Sequence, residues 1–121
     1  MKNLKIACPT NDGIMLDSQF YGCKNFKVFV IENNKLVDSY LLTPPKYEHG
    51  NMPEFLLTDK VNVIISGPIG EATLSFLNQH KVEMIYGLEG VLVDLIRLYL
   101  MHELKSVGEP YNHKNYKEYI K

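Results

Sequence analysis

Two thiols, Cys8 and Cys23, and one loop imidazole, His49, are the side chains of this chain with the most chemistry to offer. Thiolate sulfur and imidazole nitrogen bind soft and borderline metals, and a thiol acts as ligand or nucleophile only once deprotonated. Cys8 ends the apolar run Leu4-Lys5-Ile6-Ala7-Cys8 on the same side as Leu4 and Ile6, where a small buried thiol is the expected outcome. Cys23 lies between Gly22 and Lys24 in a polar loop, a setting that packing explains less easily, and the Lys24 charge would favour its thiolate. His49 stands in Tyr47-Glu48-His49-Gly50-Asn51, just ahead of an expected helix. His80, at a helix end where its charge suits the dipole, His102 and His113 read as structural or solvated.

Two glycine-framed turns, Gly67-Pro68-Ile69-Gly70 and Gly87-Leu88-Glu89-Gly90, each join a strand to a helix start. Backbone N–H groups in such turns form weak anion cradles. Neither turn matches a phosphate-binding loop or a dinucleotide fingerprint. Catalytic patterns are poor: there is no HExxH and no CxxC, and Ser18, Ser66 and Ser75 lack a nucleophile elbow. Strand one carries no Asp or Glu on which to build a two-metal centre. Zinc held by Cys8, Cys23, His49 and Asp12 is chemically reasonable, but the spacing fits no zinc pattern.

The elements that must position these groups follow from periodicity and punctuation. Strand one runs from Leu4 to Cys8 and is expected to stop at Pro9, before the turn Thr10-Asn11-Asp12-Gly13. Residues 26–31 and 36–42 form strands two and three around an Asn33-Asn34 hairpin turn. Asn51 and Pro53 open a helix. Residues 61–66 and 82–86 are strands four and five, a helix over 71–80 lies between them, and a last helix carries a Leu92, Leu95, Ile96, Tyr99 stripe. Antiparallel meander followed by right-handed crossovers predicts one α/β domain over residues 1–106, with a five-stranded mixed sheet in the order 3-2-1-4-5 and helices on its faces. Residues 107–121, with Tyr111, Tyr116 and Tyr119 among lysines, form a tail that packs loosely or docks on a second subunit; the first is favoured.

In this topology strands one, three, four and five end at one sheet edge and strand two begins there. Ligands of open α/β sheets bind at such an edge, beside a switch in strand order. The edge gathers Cys8, Asp12, Cys23, His49 and both glycine turns. Bulk properties narrow the partners. With 13 basic against 14 acidic side chains, and Arg97 the sole arginine, no nucleic-acid or membrane-surface role is expected. No run approaches a membrane span, and no export signal is read, so a cytoplasmic setting with reduced thiols is expected.

Several segments taken together resemble a known family. Ile6-Ala7-Cys8-Pro9-Thr10-Asn11-Asp12-Gly13, then Asp17-Ser18, Gly22, His49-Gly50 and the two glycine turns occur in the order of the dinitrogenase iron–molybdenum cofactor biosynthesis family. Its members are small carriers related to NifX, NafY and the carboxyl-terminal part of NifB. The likeness covers about Lys5 to Leu104. It implies a ribonuclease H-like fold and non-catalytic carriage of an iron–sulfur or iron–molybdenum type cluster, exchanged with a cluster donor or acceptor protein. Where the family shows a His-Phe-Gly-Arg stretch, this chain has Phe20-Tyr21-Gly22-Cys23, so the usual histidine and arginine are replaced.

The leading expectation is a carrier that contacts its cargo through Cys23 and His49, the two metal ligands. Cys8 is a weaker third contact, with Asp12 and backbone from Gly67, Gly70, Gly87 and Gly90 completing the site. Two thiols fall short of the four thiolates of a self-contained cluster, so two chains would share one in a homo-oligomer, or a preformed cluster would be held with open positions. The alternatives are a protein-interaction or regulatory module whose cluster site has decayed and, third, an enzyme on a small anionic substrate.

Overall fold

The computed structural model describes residues 3–20, 23–44 and 51–110, the side chains of 51–53 excepted. His49, Tyr21, Gly22 and the tail tyrosines Tyr111, Tyr116 and Tyr119 lie outside the described residues. The strands are β1 (Asn3–Thr10), β2 (Asn25–Glu32), β3 (Lys35–Leu42), β4 (Val63–Ile65) and β5 (Glu83–Ile85). The helices are α1 (Asn51–Thr58), α2 (Glu71–Gln79) and α3 (Leu92–Leu100). One sheet runs β3-β2-β1-β4-β5, antiparallel across the first three strands and parallel from β1 to β5, as the sequence pattern predicts.

Asn33 and Asn34 take φ of 54° and 65°, the left-handed pair that a two-residue hairpin requires. Strand one differs from expectation, since it continues through Pro9, paired with Phe26, to Thr10, paired with Asn25. The Pro9 carbonyl accepts the Asp17 N–H at 2.8 Å. The ring nitrogen points to the same side as that carbonyl, away from β2, so the ladder loses no donor. β4 and β5 are shorter than expected, because Val61 and Val82 belong to turns closing α1 and α2. Val61 N–H bonds Leu56 O and Val82 N–H bonds Leu77 O, with Lys60 and Lys81 at positive φ.

Side chains alternate between the two sheet faces and build two cores. Ala7, Val28 and Ile64 pack with Leu56 of α1, Leu77 of α2 and Ile69 from the turn ahead of α2. Ile6, Phe29 and Ile65 pack on the other face with Leu92, Leu95 and Ile96 of α3, the predicted stripe. Tyr99 completes that stripe by donating to Glu83 Oε1 at 3.1 Å. Beyond α3 the chain returns as a strap along β5: Tyr86 N–H donates to Ser106 Oγ at 3.0 Å and Val107 N–H to Tyr86 O at 2.9 Å. Among the described residues no helix is long and apolar enough to cross a membrane.

Candidate functional site at the strand ends

Pro9 lies opposite Phe26, and Phe26 opposite Leu42, so β1 and β3 end where β2 begins. At this edge a cleft of about 940 Å³ opens over β1, β4 and β5. One wall is the β1–β2 loop (Asn11, Asp12, Met15, Leu16, Asp17, Ser18); the other is Gly87 to Gly90, with Pro68 between. The walls are tied by backbone bonds. Leu16 N–H reaches Gly90 O at 2.9 Å and Leu92 N–H reaches Ile14 O at 2.8 Å.

Each glycine turn is shaped by close approach. A Cβ on Gly67 would stand 3.2 Å from Ser18 backbone atoms. Gly87 has φ +77°, and a Cβ there would stand 1.9 Å from Val107 O, so the strap crosses where only glycine fits. Gly87 and Gly90 line the cleft, whereas Gly67 and Gly70 do not; Gly70 is the extended N-cap of α2. The expected anion cradle is reduced. Gly87 N–H bonds Gly67 O at 2.9 Å and Leu88 N–H bonds Ser66 O at 3.1 Å, so both groups are taken up in joining the two turns beyond the ends of β4 and β5.

Asp12 organises the first wall. Its Oδ1 accepts the N–H groups of Ile14 (2.8 Å) and Met15 (2.9 Å), and these bonds hold its carboxyl below the usual carboxylate range. The fully buried Thr10 hydroxyl takes the Gly13 N–H at 3.0 Å and donates to Met15 O at 2.6 Å. Asn11 Oδ1 accepts the Lys24 N–H at 3.0 Å. Sequence reasoning saw turn chemistry here and missed that Thr10 and Asp12 act as one clasp. The signal was present: a Thr and an Asp two residues apart, ahead of Gly13.

Cys23 is not the exposed thiol of a polar loop. It is 6% exposed, packed with Phe20 and Phe26, and its Sγ faces Phe20 O at 3.6 Å. Burial, reinforced by the Asp17 charge, pushes the thiol up to about 11, against the weaker pull of the Thr10 and Cys23 N–H groups. The expected help from Lys24 does not figure among these influences. Cys8 is fully buried in the α3-side core, and burial pushes its thiol up further. The two thiols therefore sit on opposite faces of the sheet. His80 is structural, its Nδ1 2.9 Å from Phe76 O. Among the described residues no three His, Cys, Asp or Glu side chains stand together to hold a metal ion. Among the described residues the charged side chains lining the cleft are Asp12, Asp17 and Glu89.

A family model described as dinitrogenase iron-molybdenum cofactor matches residues 2–102. Among solved structures, PH0822 is similar over 85% of this chain and 94% of its own, with 22% identity and a TM-score of 0.78. The protein mj0327 from Methanocaldococcus jannaschii is similar over 91% of this chain and 100% of its own, with 22% identity and a TM-score of 0.72. The apo form of the orange protein from Desulfovibrio gigas is similar over 88% and 94%, with 16% identity and a TM-score of 0.71. At these identities the likeness concerns the fold. No curated protein matches the chain.

Proposed function

Because the chain belongs to the dinitrogenase iron–molybdenum cofactor family, we propose that it is a non-catalytic cytoplasmic carrier that seats an iron–sulfur or iron–molybdenum type cluster in the strand-end cleft. The cleft itself carries this reading: loops from three strand ends enclose about 940 Å³ at the edge where open α/β sheets take ligands. The sheet order goes with a ribonuclease H-like fold, as the family resemblance implies. A cluster built on the chain would need thiolates that the described cleft does not offer, so the cargo arrives assembled, with its own sulfide, and leaves again.

Cys23, close enough to Asp17 to feel its charge, is the proposed soft ligand, and His49, which falls between β3 and α1 in the sequence, the second. Ligation by Cys23 releases its proton and requires the thiol to turn out of the Phe20–Phe26 packing. Cys8, enclosed on the other face, is left out of this proposal. The glycine turns supply shape: Gly87 and Gly90 wall the cleft, while Gly67 lets the first turn lie against the Ser18 backbone of the loop wall. A cluster donor or acceptor protein is the partner this role implies.

The test is anaerobic incubation with a preformed soluble iron–sulfur or molybdenum–iron–sulfur cluster, desalting, then metal analysis and absorption spectroscopy. Retained metal with charge-transfer bands, lost in Cys23→Ser with His49→Ala, is the expected result. Identical featureless spectra from wild type and double variant would end the proposal.

A second reading is a protein-interaction module of the same fold without cargo. Phe20, which replaces the family histidine, is 3% exposed and meets Phe26 edge-on at 5.6 Å. Both departures from the family stretch thus serve the core. The third reading, an enzyme on a small anionic substrate, is disfavoured by the three carboxylates of the cleft.

A further inference from the structure

The turn from Gly87 to Gly90, the second wall of the cleft, is closed in at one end and open at the other. At Gly90 a Cβ would meet no atom of the described residues within 4 Å. At Gly87 the strap fills that space, with Val107 O, C and N at 1.9, 2.9 and 3.3 Å from the Cβ position. Both glycines have positive φ, +77° and +126°, so the turn has wide backbone freedom and its neighbours decide how far it moves. On the cleft side those neighbours are Gly67 O, Ser66 O and the Leu16 N–H, bonded to Gly87, Leu88 and Gly90 respectively.

The strap is a distinct piece of chain, bracketed by His102 at φ 61° and Gly108 at φ 75°. Its first end is fixed to α3. His102 N–H bonds Tyr99 O at 3.0 Å and Glu103 N–H bonds Leu98 O at 2.9 Å, which closes the helix. Leu104, partly buried, packs against the α3-side core. Residues 105–109 are exposed, Val107 by 61%. Their hold on β5 runs through Tyr86, whose N–H and carbonyl face Ser106 and Val107 on the side that β4 leaves free. A segment with little buried apolar surface and solvent-facing hydrogen bonds opens at a lower free energy than the sheet it lies on.

We infer that the strap is a clamp on the cleft: docked, it holds the Gly87–Gly90 wall in place, and lifted, it frees that wall to move. The coupling runs both ways, since a ligand that fixes the wall tightens the strap by the same free energy with which the docked strap tightens the ligand. On the carrier reading the clamp governs how long cargo stays, but the clamp itself does not depend on what the cleft holds.

The test is hydrogen exchange of the full chain without cargo, read amide by amide by NMR at low urea concentrations. Wild type is compared with the double variant Leu104→Ala, Ser106→Ala. Gly87, Leu88 and Leu16 keep their own acceptors in this variant, so strap contacts reach their amides only through the wall. These amides are expected to share one opening free energy with Val107, with a shallow urea dependence, and to exchange about tenfold faster in the variant. Wild-type rates at Gly87, Leu88 and Leu16 beside a faster Val107 would overturn the inference, because the wall would then move without the strap. So would a urea dependence at the wall as steep as that of Ala7 and Ile64, because the wall would then open only with the sheet. Neither result bears on whether a cluster binds.

Discussion

A thiol binds metal as thiolate, and Cys23 is held far from that state. With the thiol pushed up to about 11, roughly one molecule in a thousand carries the thiolate at pH ~8. Iodoacetamide is therefore expected to alkylate native Cys23 orders of magnitude more slowly than the urea-unfolded chain; equal rates by mass spectrometry would contradict the burial argument. Because the folded value lies above the ordinary 9.0, the neutral thiol contributes stability that is complete below pH 9.0 and is lost as pH rises through about 11. Thermal midpoints of wild type should fall more steeply over that window than those of Cys23→Ala. Asp12 has the opposite sign. Its lowered value stabilises the clasp above the ordinary 3.8 and releases it as pH falls below. Asp12→Ala is expected to speed amide exchange at Ile14 and Met15 at neutral pH, with amides of β4 unchanged. At this scale the sequence was least legible. Residue type told which groups carry chemistry, but whether Cys23 faces water depended on Phe20 and Phe26, brought to it by the fold.

Elements were read more easily than residues, because periodicity and turn chemistry are local. The Asn33-Asn34 turn, the α3 stripe and the strand order needed only neighbours in the chain and general connection rules. What escaped was tertiary: β1 runs through Pro9 because Asp17 happens to satisfy the carbonyl on that side. The strap was equally invisible, since nothing near Ser106 or Val107 announces a contact with Tyr86. It gives the two cleft glycines different burdens. At Gly87 a methyl group meets Val107 O at 1.9 Å, whereas at Gly90, φ +126°, it meets nothing within 4 Å. Both substitutions carry the strain of a positive φ, and Gly87→Ala should cost about 1–3 kcal/mol more than Gly90→Ala because it alone displaces the strap. Urea denaturation measures the difference, and limited proteolysis near 104–108 should rise for Gly87→Ala alone. Equal costs would mean the strap can shift freely.

At the scale of the molecule, one sheet separates two cores that share no side chain among the described residues. Ile69→Val on one face and Ile96→Val on the other should each cost about 1 kcal/mol, and together their sum within about 0.5 kcal/mol. A larger coupling in the double-mutant cycle would show that the sheet transmits strain between faces. The same partition governs how the protein meets oxidants. Cys8 and Cys23 point into different layers, so no bond between their sulfurs can form without opening the sheet. Peroxide treatment of the folded chain has no internal disulfide as an end-point, and a thiol oxidised here stays available to a reductant or a neighbouring molecule instead of locking the fold shut.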